Sequence, residues 1–205
     1  VAAQLGVVFA LMIGAGLLMN SLYRLSQIEL GFNPENVVAL EMSVGPRIWQ
    51  ATDRYVAFQT ELLERVRALP DVAAATLTFS LPPYPQGRMA VGLRNGERVG
   101  GVSRVVTSGY FDALKIPLLR GRDFPARPDY RLEKSVIVNH AFASRYLAGN
   151  PLGQYVQTGP EWRAVMAVVG NAREWTIREK PDPTLYLPFS PPNVTPRRFS
   201  LVVRT

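Results

Sequence analysis

The chain has 205 residues, no cysteine and one histidine, and its 23 lysines and arginines against 16 acidic residues give a formal net charge of +7. Without cysteine, these residues cannot form a disulfide, a zinc–thiolate site or a thiol nucleophile, and a single histidine, His140, excludes a multi-histidine metal site. All 39 charged side chains follow residue 23, so the composition divides the chain into two unequal parts.

The first 23 residues form an uncharged apolar run in which Gln4, Asn20 and Ser21 are the clearly polar members. About 20 helical residues cross the ~30 Å hydrocarbon core of a bilayer, so the run predicts a transmembrane helix over 1–23. A cleaved signal peptide, which would begin with a methionine and a basic segment, and a buried helix of a soluble protein are the alternatives. Because the chain opens at Val1 within the apolar run, we interpret it as a piece of a longer membrane protein.

Small residues recur at every fourth position of this helix: Ala2, Gly6, Ala10 and Gly14. Such a row lets helices approach closely in lipid, so we expect the helix to pack against other transmembrane helices. Residues 24–35 are interpreted as a stalk that leaves the membrane, and residues 36–205 are long enough to form one folded domain with its own core.

Periodicity predicts an α+β fold for this domain. Alternating apolar residues predict strands over 36–44 and 72–80, and helical spacing from Thr52 to Leu69 predicts a helix that Pro70 ends. If the two strands run parallel, this helix is the crossover between them. Further along, 88–93 and 98–107 are interpreted as an exposed two-stranded ribbon.

The second half alternates short helices and strands. Ser108 is predicted to cap a short helix over 109–116 that Pro117 ends, and Asn139 is predicted to cap a helix that runs to Leu147. Further strands are predicted over 135–138, 154–158, 163–170 and 200–204. Helices and strands are mixed without strict alternation, which favours the α+β class over a doubly wound sheet.

No constellation of residues in the sequence points to catalysis. Gly87 and Gly92 have the spacing of a phosphate loop, but the lysine and hydroxyl that should follow are absent. His140 has no acidic partner three or four residues away. Asp123 and Asp129 lie among Arg122, Arg127 and Arg131, and we interpret them as paired and solvated. The sequence therefore predicts no catalytic, cofactor-binding or metal-binding residue.

Twenty of the 23 basic residues are arginine. A scattered, solvated surface is the favoured interpretation, contact with anionic lipid headgroups comes next, and nucleic acid is not expected as a partner.

Two segments carry a resemblance to a known family: VSRVVTSGYFDALKIPLLRGRDF and SVIVNHAFASRYLAGNPLGQYV. With the apolar helix before them, they resemble the MacB-type periplasmic core domain of FtsX-like ABC transporter permeases, closest to the acidobacterial duplicated orphan permease group. His140 departs from the pattern, which usually has an acidic residue there. The motif residues are predicted to serve architecture, as helix anchors, caps and turns; they are Gly109, Tyr110, Phe111, Pro117, Gly121, Arg122, Phe124, Asn139, Pro151 and Gly153.

The resemblance implies a permease in the bacterial inner membrane, with the residues after about 24 in the periplasm. Its partners would be the other transmembrane helices of the permease, a separate ATP-binding subunit, a periplasmic accessory protein or second permease copy, and membrane lipids. It implies a role in efflux, lipid or lipoprotein handling, or mechanotransmission. A membrane-anchored ligand sensor is the main alternative, and a membrane-tethered hydrolase is the least favoured.

Overall fold

The computed structural model describes residues 2–26, 30–45, 52–82, 87–126, 134–173, 180–189 and 197–205. Within these ranges the chain forms helices and strands in a mixed order. The helices are α1 (Ala2–Ser26), α2 (Thr52–Arg67), α3 (Tyr110–Leu114) and α4 (His140–Tyr146). The strands are β1 (Val37–Ser43), β2 (Ala74–Thr78), β3 (Gly87–Leu93), β4 (Arg98–Val106), β5 (Leu118–Gly121), β6 (Ser135–Asn139), β7 (Tyr155–Thr158), β8 (Glu161–Val169), β9 (Thr184–Pro188) and β10 (Arg198–Arg204).

Six strands pair in a continuous circuit, β3–β4–β9–β6–β8–β7 and back to β3, which we call the closed sheet. Most pairings are antiparallel, while β4 with β9 and β6 with β8 are parallel. A buried aliphatic cluster takes residues from all six strands and is completed by Phe142 of α4. Valine and leucine supply most of this cluster, because their branched side chains pack well on a half-buried pleated surface.

The remaining long strands form a three-stranded extension in the order β1–β10–β2, which we call the side sheet. β1 and β2 are both antiparallel to β10 and hence parallel to each other, and α2 connects them. The predicted strand–helix–strand crossover is therefore present, but the last strand of the chain lies between its two strands. α2 buries Tyr55 and Leu63 against this sheet. Leu69, the last residue of the predicted helix, lies beyond the observed helix end at Arg67 and is 56% exposed.

A third buried cluster surrounds α3, where the two sheets meet. Tyr110 and Phe111 are 0% and 2% exposed, and both lie against the ring of Tyr186 from β9. The Phe111 and Tyr186 rings are 4.9 Å apart between centroids and nearly perpendicular, an arrangement that aromatic pairs favour. α3 thereby attaches the side sheet to the closed sheet.

The predicted ribbon is the β3–β4 hairpin, but it is not exposed as a whole. Val102, Val105 and Val106 of β4 are buried, because β4 also pairs with β9 and, at Val106, with β2. These partners come from distant parts of the chain, so the pattern of the hairpin itself does not reveal them.

Candidate functional site at the base of the domain

Helix α1 contains a candidate membrane span, Gln4–Tyr23, with a mean hydropathy of 2.0. None of this span is buried against the rest of the described chain; Phe9 and Leu18, for example, are 63% and 74% exposed. Leaving so much apolar surface in water is costly, at about 25 cal/mol per Å². The helix is therefore not part of a soluble core formed by the described residues.

The row of small residues on α1 meets no neighbour where it is described. A Cβ at Gly6 or Gly14 would have no atom within 4 Å, and the side chains of Ala2 and Ala10 lie outside those described. Packing of this row against other transmembrane helices stays a prediction.

α1 ends at Ser26, and the described chain resumes at Leu30 in contact with the domain. The segment 30–36 lies against the end of α3, the loop 171–173 and residues 204–205; we call this junction the base. Three backbone hydrogen bonds hold the segment there: the N–H of Arg173 donates to the carbonyl of Leu30 (3.0 Å), that of Asn33 to Leu114 (2.8 Å), and that of Thr205 to Asn36 (3.0 Å).

Gly31 lets the segment approach the domain closely. Its φ of +76° is in the left-handed region, and a Cβ there would overlap the backbone carbonyl oxygen of Asn171. Asn171 in turn accepts a hydrogen bond at its side-chain oxygen from the N–H of Ala141 (2.8 Å). Asn171 thus connects the base to the start of α4.

The side chain of Arg204 is buried within the base and is only 6% exposed. Its Nε donates to the carbonyl of Ala113 (2.6 Å), Nη1 to that of Glu35 (2.8 Å) and Nη2 to that of Asn33 (2.6 Å). One guanidinium therefore binds both the incoming segment and the end of α3.

A second polar cluster lies at the start of α3. Gly109, at φ +80°, donates its N–H to Oδ2 of Asp123 (2.8 Å), and the N–H of Phe124 donates to Oδ1 (2.7 Å). The predicted cap at Ser108 is wrong: Gly109 is the cap residue, without a side-chain cap bond, and the Asp123 carboxylate receives its N–H. The bend at 121–123 brings this carboxylate back onto the helix start.

The interpretation of Asp123 as a solvated, paired acid is also wrong. Burial raises the pKa of its carboxyl, opposed by the two backbone N–H donors and by the nearby Arg67 guanidinium. Arg67, at the end of α2, donates through Nε and Nη2 to the carbonyl of Ala75 and through Nη2 to that of Ser108 (2.8 Å). Arg122, which precedes Asp123, is exposed, while Arg127, Asp129 and Arg131 lie outside the described residues.

The other residues of the first motif occupy turns and contacts around α3. The helix ends at Leu114 with Lys115 in the left-handed conformation, two residues before Pro117, whose carbonyl accepts the N–H of Gly170 (2.8 Å). Gly121, at φ +82°, lies so close to β8 that a Cβ would overlap the Met166 carbonyl. Phe124 is buried in the cluster around α3.

Asn139 of the second motif makes three hydrogen bonds through its side chain. It is fully buried; its Oδ1 accepts the N–H groups of Phe142 and Thr184 (both 2.9 Å), and its Nδ2 donates to the carbonyl of Asp182 (2.7 Å). It therefore caps α4 as a helix N-cap does and also fixes the start of β9. His140 beside it is exposed.

Pro151 and Gly153 form the turn before β7. Pro151 is buried, and Gly153 has a φ of +80° and donates its N–H to the carbonyl of Val165 (2.9 Å). Except for the exposed Arg122, the described motif residues thus lie in turns, caps or packed contacts.

The described residues contain no group of three or more acidic or histidine side chains that could hold a metal ion. The described part of the chain has grooves that open to solvent. One of about 430 Å³ lies beside Arg94, Tyr155 and Trp162, and another of about 220 Å³ lies beside Arg88 and Asp182. The hydrogen bonds of the base hold backbone segments in fixed positions relative to one another.

Some of the arginine side chains are buried inside the domain. Arg104, Arg163 and Arg204 are buried, and Arg104 donates to the carbonyl of Ser80. The expectation of a wholly scattered, solvated arginine surface is therefore wrong for these three residues.

Arg204, Arg67 and Asn171 were missed as functional candidates by the sequence reasoning. No local sequence pattern marks these residues: Arg204 follows Ser200 and Val202 along one face of β10, and its burial is seen only in the fold.

Residues 5–205 match the MacB-like periplasmic core domain, and the chain belongs to this family. No curated protein sequence matches the chain. Among solved structures, the chain is similar to the periplasmic region of MacB from Actinobacillus actinomycetemcomitans, with a TM-score of 0.57, 17% identity, and coverage of 85% of this chain and 76% of the other. It is also similar to the extracellular domain of the noncanonic ABC-type transporter YknZ from Gram-positive bacteria, with a TM-score of 0.54, 16% identity and 83% coverage of both chains.

These similarities confirm the resemblance seen in the sequence and the mixed α/β fold after an apolar helix. Both similar structures are extracytoplasmic regions, one of MacB and one of an ABC-type transporter.

Proposed function

We propose that this chain is the extracytoplasmic domain and adjoining span of an ABC transporter permease, and that it transmits movement from the membrane to the outside. A separate cytoplasmic ATPase subunit would hydrolyse ATP, α1 would move in the bilayer, and the domain would follow. Transport of a substrate or action on an accessory protein would result from that displacement.

The observation that carries the proposal is the base. An exposed apolar helix ends at Ser26, and by Leu30 the chain is already bonded to the domain, first to Arg173 and then, through Asn33, to Leu114. A long flexible linker would absorb a displacement of α1, whereas a short segment fixed by hydrogen bonds passes it on.

Family membership supports the setting of this movement. We assign residues 1–23 to the membrane, 24–35 to the stalk and 36–205 to the periplasmic domain of an inner-membrane permease. Residues 27–29 of the stalk lie outside the described residues. Other transmembrane helices of the permease would cover α1, and a second permease copy or an accessory protein would receive the movement.

The test uses the full-length permease with its ATPase subunit in lipid nanodiscs. A fluorescent amino acid replaces the exposed Ser144 of α4, and acceptor dyes on the lipids report the distance of the domain from the membrane. We expect ATP to change the energy transfer in the wild type. One glycine inserted after Leu25 should reduce this change while ATP hydrolysis continues.

The matched control is a glycine inserted between Asn95 and Gly96, in the exposed turn of the β3–β4 hairpin. Surface turns tolerate insertions, so this variant should respond as the wild type does. A wild type that hydrolyses ATP without any change in energy transfer would contradict the proposed function, and a response to an added small molecule without ATP would favour the ligand sensor.

A further inference from the structure

The Arg204 side chain joins the beginning of the domain to its last described strand through hydrogen bonds. It stands at the end of β10, the last strand, and binds two carbonyls of the incoming segment, those of Asn33 and Glu35. Its third bond, to Ala113, reaches the end of α3. The donors of one planar group thus bind acceptors in two separate parts of the sequence, which lie 91, 169 and 171 residues before Arg204.

The acceptors are neutral backbone carbonyls, which makes the shape of the donor decisive. A guanidinium presents its N–H groups in a rigid fork, whereas the lysine ammonium is a compact charge on a flexible stem. Bonds from a charged donor are stronger than bonds between neutral groups. Arg204 can therefore fix all three backbone positions at once, and a lysine could not match this geometry.

Backbone bonds on both sides of Arg204 complete the joint. Arg204 lies opposite Val37 in the β1–β10 pairing, and its own carbonyl accepts the N–H of Ala73, which precedes β2. The next residue, Thr205, donates to Asn36. The start of β1, the start of β2 and the end of β10 thereby meet around one side chain.

From this arrangement we infer that Arg204 is a positioning residue for coupling: it locks the incoming segment and the last strand into one rigid body. The inference rests on the proposed function. With the lock in place, a displacement of α1 moves both ends of the domain together. Without it, the segment 33–35 acts as a hinge and absorbs the displacement.

The experiment uses the same full-length permease and the same fluorescence from Ser144. R204M removes the donors but keeps an apolar side chain of similar length, and R204K keeps the charge. We expect R204M to hydrolyse ATP and to show a smaller change in energy transfer than the wild type, with R204K between them. A purely structural role would lower the unfolding temperature of the variants and leave the response of the folded fraction unchanged.

A crosslink provides the rescue. Glu35 and Lys115 are both exposed and belong to the two backbone segments that Arg204 joins, and the 205 residues contain no cysteine. Cysteines at both positions, joined by a short bis-maleimide, should restore the response of R204M and leave that of the wild type intact. If R204M does not fold, R204K with and without the crosslink gives the same comparison.

Two outcomes would overturn the inference: an undiminished response in folded R204M or R204K, or a diminished response that the crosslink fails to restore. A crosslink that blocks the wild-type response would also overturn it, since the joint would then have to open. A wild type without any ATP-dependent response would instead contradict the proposed function, so the two failures are distinguishable.

Discussion

The closed sheet and the base are stabilised by different kinds of interaction. The closed sheet buries an aliphatic cluster from six strands together with Phe142, and its stability depends on apolar area removed from water. The base is built from backbone carbonyls and N–H groups joined by Arg204, with Gly31 permitting close approach. Apolar packing is non-directional, whereas hydrogen bonds from a planar side chain fix positions.

The two regions differ in how firmly they fix the positions of their atoms. Contacts within an aliphatic cluster are attractive over many relative orientations, so they do not by themselves fix one direction. A junction that passes on a displacement has to keep its atoms in register, and directional bonds do this. The location of the buried arginine and of the tight glycine therefore agrees with a base that transmits movement.

The largest expected effect comes from removing a large buried side chain from the core of the closed sheet. Phe142→Ala should lower the free energy of unfolding by about 3–5 kcal/mol, because it leaves a cavity at a fully buried site. Chemical denaturation of the 205-residue chain in detergent measures this loss. The same substitution at Phe9 of α1, which is 63% exposed, is the control and should leave the unfolding of the domain unchanged. Similar losses in both variants would contradict the assignment of the core.

A smaller effect is expected at the base. Gly31→Ala should cost about 2–5 kcal/mol, the sum of a left-handed backbone penalty of about 1–2 and a clash of about 1–3 with Asn171. Gly149→Ala is the matched control: φ is +74° there against +76°, but no atom lies within 4 Å of a Cβ. It should cost about 1–2 kcal/mol. Equal losses would show that segment 30–36 is not held against the loop at Asn171.

The smallest expected effect is a change in pH dependence at Asp123. Its carboxyl pKa is raised in the fold above the ordinary value of 3.8, so between these two values the folded chain binds more proton than the unfolded one. The stabilisation from this proton is complete at pH values below 3.8 and is lost as the pH rises through the raised pKa.

Asp123→Asn removes this titration and keeps one acceptor oxygen for the N–H of Gly109 or Phe124. The difference in unfolding free energy, wild type minus variant, should therefore fall as the pH rises through that window. Denaturation of both proteins across the acidic range measures this difference. A difference that grows with pH would mean that hydrogen bonds and Arg67 outweigh burial and that the pKa is lowered.

Local sequence determined a good part of this protein. The apolar run with no charge before Arg24 identified a candidate span, and alternation or helical spacing located α2, α4, β1, β2, β6, β7, β8 and β10. Asn139 immediately precedes a predicted helix, so its role as the N-cap could be predicted from adjacent residues alone. These features depend on neighbours within a few positions, which periodicity and capping preferences record.

Tertiary structure alone decided which strands meet and which polar groups become buried. β10 inserts between β1 and β2, and β9 pairs with β4, so part of the ribbon predicted to be exposed is buried. Asp123 returns to the start of α3 fourteen residues upstream, and Arg204 reaches Asn33 across 171 residues. A sequence records which side chains can donate or accept a bond, but the partner and the burial depend on distant segments brought together by the fold. For that reason the base, and with it the site that best supports the proposed function, became visible only in three dimensions.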